Sequence, residues 1–140
     1  MIRSYLHTIL ILALLTLSCD EKFIIVNCND CLMEEPVDVD IEVTLDSKGT
    51  EEPLISIYEG NIDDNILIKS YFVNTGITEV NLKVNRKYTF TARYEELGGN
   101  ICVVVNSVYP RVRYETSQCE EPCYYVYDKK VKLKLKYTNY

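Results

Sequence analysis

The sequence predicts an all-β fold: an antiparallel β-sandwich of seven to nine short strands, preceded by an N-terminal signal and a short tether. Three observations carry this. Residues 37–45 alternate strictly, with Val37, Val39, Ile41, Val43 and Leu45 on one side and Asp38, Asp40, Glu42 and Thr44 on the other. A period of two is the pattern of a half-buried strand. The alternation recurs at Val80, Leu82 and Val84, at Tyr88, Phe90, Ala92 and Tyr94, and at Val131, Leu133, Leu135 and Tyr137. Turn signals fall about every ten residues, and no part of the body shows a convincing helical period.

The chain opens with Met1-Ile2-Arg3, a mostly apolar run from Leu6 to Leu17, and then Ser18-Cys19-Asp20-Glu21. A basic start, a short apolar run and a small residue before the cut make an export signal. The run has about a dozen apolar residues, fewer than the roughly 20 needed to cross a bilayer. With Cys19 just after the cut, it resembles a bacterial lipoprotein signal in the relaxed form found in Bacteroidota. The pair Asp20-Glu21 is similar to the acidic tag that sends such lipoproteins to the outer cell surface. The resemblance implies cleavage after residue 18, acyl chains on Cys19, and anchoring in the outer membrane through those chains. The expected divisions are a signal over residues 1–18, a lipidated tether with Cys28-x-x-Cys31 over 19–35, and a sandwich domain over 36–140.

Within that domain the first strand follows Pro36. Residues 47–49 turn the chain into a second strand at 54–58. A polar turn over 59–65 leads to a third strand at 66–73, whose alternation slips at Lys69-Ser70 and predicts a bulge. Residues 74–76 turn again. Val80 to Val84 and Tyr88 to Tyr94 form a pair joined by Asn85-Arg86-Lys87. Leu97-Gly98-Gly99-Asn100 makes the next connection. Ile101 to Val105 is a continuous apolar run, the mark of a central strand covered on both faces. Tyr109-Pro110 bends the chain before a strand at 111–116. Residues 119–123 form a loop, and strands at 124–127 and 131–137 finish the fold. The last strand turns Lys130, Lys132, Lys134 and Lys136 outward, as suits an edge that must not pair with another chain.

The segment Val80-Asn81-Leu82-Lys83-Val84-Asn85-Arg86-Lys87-Tyr88-Thr89-Phe90-Thr91-Ala92 resembles the leucine, tight turn, tyrosine, alternating-strand signature of transthyretin-like and carboxypeptidase-regulatory-like domains. Immunoglobulin-like sandwiches give nearly the same string. The resemblance implies a small sandwich of commonly non-catalytic type. Asn85 stands where that family has Gly, since Asn tolerates left-handed backbone.

Composition narrows the function. The formal net charge is −6 and becomes more negative when Arg3 leaves with the signal, which disfavours nucleic acid as a partner. The single histidine, His7, lies in the signal. The body therefore lacks the usual nucleophile–base pairs, His-based zinc catalysis and the commonest general base near neutral pH. No catalytic residue and no cofactor is expected. Asp38, Asp40 and Glu42, and Asp63-Asp64, lack calcium-loop spacing and read as a solvated face and a turn.

Two groups of residues remain. Cys28, Cys31, Cys119 and Cys123 are disulfide candidates in an exported chain. They close locally or cross-link the tether to the late loop, and the spacing does not choose. The rival is a zinc site of four thiolates. Cys102 sits in an apolar run and reads as a buried thiol. Tyr109, Tyr114, Tyr124, Tyr125 and Tyr127 crowd the late loop and form a candidate binding surface for a protein or glycan partner. The expected role is a non-catalytic, membrane-anchored lipoprotein of the cell envelope acting in binding or assembly. The alternative is a structural or adhesive subunit that adds strands.

Overall fold

The computed structural model describes residues 24–46, 52–95 and 98–135. The signal, Cys19, the turn at 47–49, Leu97, Lys136 and Tyr137 lie outside the described residues. Among those described, nine strands run in order: β1 (Asp38–Thr44), β2 (Leu54–Glu59), β3 (Ile66–Phe72), β4 (Ile77–Lys83), β5 (Tyr88–Glu95), β6 (Ile101–Val108), β7 (Arg111–Glu115), β8 (Cys123–Tyr127) and β9 (Lys130–Lys132). Single 3-10 turns stand at Cys28–Asp30 and Ile62–Asp64. The described residues form an all-β body, as expected.

The strands form a three-stranded sheet in the order β4-β1-β9 and a four-stranded sheet in the order β3-β2-β5-β6. They pack face to face around one core. From the first sheet come Ile41, Val43, Val80, Leu82, Val131 and, just beyond β9, Leu133; from the second come Ile55, Ile57, Tyr88, Phe90, Ala92, Tyr94 and Val108. Alternation selects these residues, since each strand turns every second side chain inward. All ladders are antiparallel except β1–β9, which is parallel with Val43 beside Val131. A parallel pair needs a long crossover, and here the whole body of the fold lies between the two strands.

Tyr88 and Tyr94, both on β5, tie the sheets together. The Tyr88 hydroxyl donates to the Lys83 carbonyl at 3.0 Å, at the end of β4. Tyr94 is fully buried; its hydroxyl donates to the Leu133 carbonyl at 2.6 Å and accepts from the Asp46 amide at 3.2 Å. The Asp46 carboxylate in turn accepts from the Leu135 amide at 2.8 Å. The segments after β1 and after β9 are thus fastened to one side chain of the opposite sheet.

Several element-level expectations change. Ile101, Val103 and Val105 are 52%, 57% and 52% exposed. They lie on the outer face of β6, the edge strand of its sheet, so that strand is covered on one face and not two. Its inner face carries Cys102, Val104 and Val108. An apolar run alone cannot tell a central strand from an edge strand with an apolar outer face. The β2–β3 register breaks so that Ile57 faces Lys69 while Tyr58 faces Leu67. Ile68 is the extra residue, one position before the predicted slip. Val37 is 65% exposed because β1 begins at Asp38. β9 is an edge strand, as its lysines predicted, and covers only Lys130–Lys132. Asn85 has φ +58, the left-handed conformation expected of it.

Candidate functional site

β7 and β8 leave the sandwich as a two-stranded ribbon. Val108, Tyr109 and Pro110 turn the chain out of β6, and Asn85 fixes where the ribbon starts. The Asn85 amide donates to the Pro110 carbonyl at 2.7 Å, and its side-chain oxygen accepts from the Val112 amide at 3.1 Å.

The ribbon register pairs Arg111 with Tyr127, Val112 with Val126, Arg113 with Tyr125, Tyr114 with Tyr124 and Glu115 with Cys123. Residues directly opposite share a face, so the five predicted tyrosines do not form one surface. Tyr125 and Tyr127 share a face with Arg111 and Arg113. The Arg111 guanidinium lies 4.6 Å from the Tyr127 ring centre and 5.4 Å from that of Tyr109, and pairs with Asp128 at 3.1 Å. Lys129 extends the face, 6.0 Å from the Tyr125 ring centre. On the opposite face Tyr114 and Tyr124 pack with ring centres 4.9 Å apart and a 48° tilt. Tyr109 and Tyr114 are 44% and 54% exposed, whereas Tyr124, Tyr125 and Tyr127 are half-buried.

Glu115 organises the loop that joins the two strands. It is only 2% exposed. One carboxylate oxygen accepts from the Ser117 amide and hydroxyl, both at 2.7 Å, and from the Gln118 amide at 3.1 Å. The other accepts from the Gln118 side chain at 3.4 Å. The Ser117 hydroxyl, then the Ser117 and Gln118 amides and the charge of Arg113, favour the ionised form and outweigh burial. They hold its pKa at about 2, against an ordinary 4.5. A carboxylate surrounded by donors in this way loses its proton easily.

Gln118 grips the N-terminal segment. Its side-chain oxygen accepts from the Val26 amide at 3.0 Å, and its nitrogen donates to the Ile24 carbonyl at 3.1 Å. Leu32 and Tyr124 exchange two backbone hydrogen bonds of 2.9 and 2.8 Å. The cysteines cross-link: Cys28 bonds Cys119 and Cys31 bonds Cys123, with Cα–Cα separations of 5.7 and 5.6 Å. Residues 24–32 are therefore stitched to the cysteine end of the ribbon by side-chain, backbone and covalent bonds. Cys102 takes part in neither disulfide and is partly buried against the core.

The acidic stripe faces outward from the three-stranded sheet. Asp40, Glu42 and Glu79 line a shallow groove of about 380 Å³ together with Asp30, Lys129 and Lys130. Lys130 pairs with Glu42 at 3.2 Å, Lys129 with Asp30 at 3.8 Å, and Asn81 donates to Asp40 at 2.9 Å. Asp30, Asp40 and Glu42 are thus matched by cations and an amide of the chain, which fits a solvated face. Asp64 accepts from the Asn61 amide at 2.7 Å and serves its own turn.

Arg111, Arg113, Lys129, Glu115 and Gln118 are the site residues that the sequence reading left out. The alternation Arg111-Val112-Arg113 opposite Tyr125-Val126-Tyr127 was the available signal for the cationic face. Nothing in the sequence marked Gln118. The chain matches no known protein family, no curated protein and no solved structure.

Proposed function

We propose that this chain is a membrane-anchored lipoprotein of the bacterial cell envelope, held in the outer membrane by acyl chains on Cys19. In this reading it is displayed at the cell surface and acts as a non-catalytic binding module for a protein or glycan. The signal and Cys19 supply the anchor, and the absence of histidine from the body disfavours hydrolytic chemistry. The contact surface is the ribbon face of Tyr109, Arg111, Arg113, Tyr125 and Tyr127. Tyrosine and arginine are the residue types that dominate binding energy at interfaces.

The observation that carries this reading is the stitching of residues 24–32 to the ribbon. Residue 24 is held by Gln118, and five Cα–Cα steps, with four residues between, separate it from Cys19. Fully extended, they span at most about 18 Å. Acylation at Cys19 would therefore hold the cysteine end of the ribbon close to the bilayer. A partner reaching the ribbon would itself be embedded in, or lie against, the same membrane.

The test is metabolic labelling with a palmitate analogue. Label on the wild type, with loss of label and release from the membrane in Cys19→Ser, is the expected outcome. An unlabelled protein, or a variant that stays in the membrane, overturns the anchor. For the surface, cross-linking on cells should capture a partner that Arg113→Glu with Tyr125→Ala loses. Retained capture overturns the ribbon assignment.

One observation favours the strand-adding alternative. Among the described residues β3 is an edge strand of its sheet, on which Ile66, Leu67, Ile68 and Phe72 are 44–67% exposed. Exposed apolar edges pair readily with other strands. Sedimentation of the purified protein over a hundredfold concentration range separates the two: a monomer throughout counts against assembly through its own copies.

A further inference from the structure

The two disulfides are not independent staples. Cys31 Sγ lies 3.8 Å from Cys119 Sγ, although these atoms belong to different bridges. The sulfurs of Cys31, Cys119 and Cys123 all lie within 4.8 Å of one another, and Cys28 is bonded to one of them. Four sulfurs thus occupy one small volume. They come from Cys28-x-x-Cys31 and Cys119-x-x-x-Cys123, two short-spaced pairs at opposite ends of the chain.

That inventory has a second chemistry. A tetrahedral zinc ion bound by four thiolates has Zn–S distances of about 2.3 Å, which puts neighbouring sulfurs about 3.8 Å apart. The distance between Cys31 and Cys119 already equals such an edge. The cluster is graded in exposure. Cys123 is 3% exposed, Cys31 and Cys119 are half-buried, and Cys28 is exposed. A reductant and a cation can enter from the Cys28 side without opening the core. The surrounding backbone is held without the sulfurs, by Glu115 on its loop, by Gln118 on residues 24–26 and by the Leu32–Tyr124 pair.

We propose that these four cysteines form a tetrathiolate site for one divalent cation of the zinc type when they are reduced, and two disulfides when they are oxidised. Reduction takes two equivalents of a dithiol. Each disulfide accepts two electrons and two protons, and each dithiol leaves as a cyclic disulfide. The four thiols then release four protons as their sulfurs bind the cation. The metal and the disulfides are mutually exclusive, so the cluster reports the redox state around it. This goes beyond the binding role proposed above and does not depend on acylation of Cys19.

Cobalt(II) is the probe, because thiolate coordination gives it intense charge-transfer bands and tetrahedral geometry gives it visible bands. The full chain, in detergent, is reduced with excess dithiol, desalted without oxygen and titrated with Co2+. The expected result is saturation at one ion per chain with both sets of bands, displacement by Zn2+, and no bands in the oxidised chain. Cys31→Ser and Cys119→Ser should each weaken binding at least about tenfold, and Cys102→Ser should leave it unchanged. Absence of charge-transfer bands from the reduced wild type overturns the proposal. So does an equal response from the oxidised chain, or from a Cys31→Ser/Cys119→Ser double variant. The deciding titration is on the wild type, so a variant that fails to fold cannot mask the answer. Labelling at Cys19 is read separately, so failure of the anchor and failure of the metal site are distinguishable.

Discussion

Tyr94 shows how much one side chain can fasten. Its ring fills the core, and its hydroxyl serves the Leu133 carbonyl and the Asp46 amide together. Removing the oxygen leaves two backbone groups short of a partner, which costs about 1–3 kcal/mol for a buried group. Tyr94→Phe should lower the urea unfolding free energy by roughly that amount, while Phe90→Ala should cost about 3–5 kcal/mol by leaving a cavity. A Tyr94→Phe cost no greater than that of an exposed control such as Val103→Thr would contradict the bridging role. Gly60 is a second pinned position. Its φ is +78, and an added Cβ would lie 2.6 Å from the Asp64 carboxylate that caps the turn. Asn85 and Tyr88 were readable because their demands are local: a left-handed turn, then a ring pointing inward. The partners of Tyr94 were not, because Leu133 is 39 positions away and only packing brings it near.

At the scale of elements, the ribbon and its loop respond to acid. Glu115 has a folded pKa of about 2, below its ordinary value of 4.5. A depressed carboxylate stabilises the fold fully above the unfolded value, and that contribution is lost as pH falls through it towards the folded value. Amide hydrogen exchange of residues 116–119 should therefore be flat from pH 7 to about 5 once corrected for intrinsic rates. Protection should then fall between about pH 4.5 and 2. Glu115→Gln should show weak protection throughout, with little dependence on pH; an unchanged acid transition in that variant would remove Glu115 as its cause. The strands themselves were largely legible, since period-two alternation marks β1, β4, β5 and the stretch from β9 onward. The split of the five tyrosines was not. Which face each ring occupies depends on the β7–β8 register, and a shift of one residue would exchange the faces. The exposed side of β6 was missed for a related reason. Composition records that Ile101, Val103 and Val105 are apolar, and not whether a neighbour covers them.

For the whole molecule, the covalent links join the N-terminal segment to the far end of the fold. Cys28–Cys119 and Cys31–Cys123 each span a separation of over 90 residues. Once either is formed, the other closes only a small ring, so their effects are coupled. On the loop-entropy account, losing one bridge should cost about 2–3 kcal/mol, because the remaining bridge still holds the long loop. Losing both should cost more than the sum of the single losses. Urea unfolding of Cys28→Ser/Cys119→Ser, Cys31→Ser/Cys123→Ser and the quadruple variant measures this cycle, and strict additivity would show that the bridges act independently. Among the described residues no helix is long and apolar enough to cross a membrane; in the proposed reading the attachment rests on Cys19 alone.

The sequence by itself determined the all-strand class, the core faces of the main strands, the left-handed turn at Asn85 and the lysine-bearing edge. Each of these follows from residues close together along the chain, where side-chain period and backbone preference act directly. Only the tertiary structure decided the cysteine pairing, the grip of Gln118 on residues 24–26, the parallel union of β1 with β9 and the gathering of four sulfurs. Those features join positions some 90 residues apart, and their distances are set by how two sheets close over a shared core.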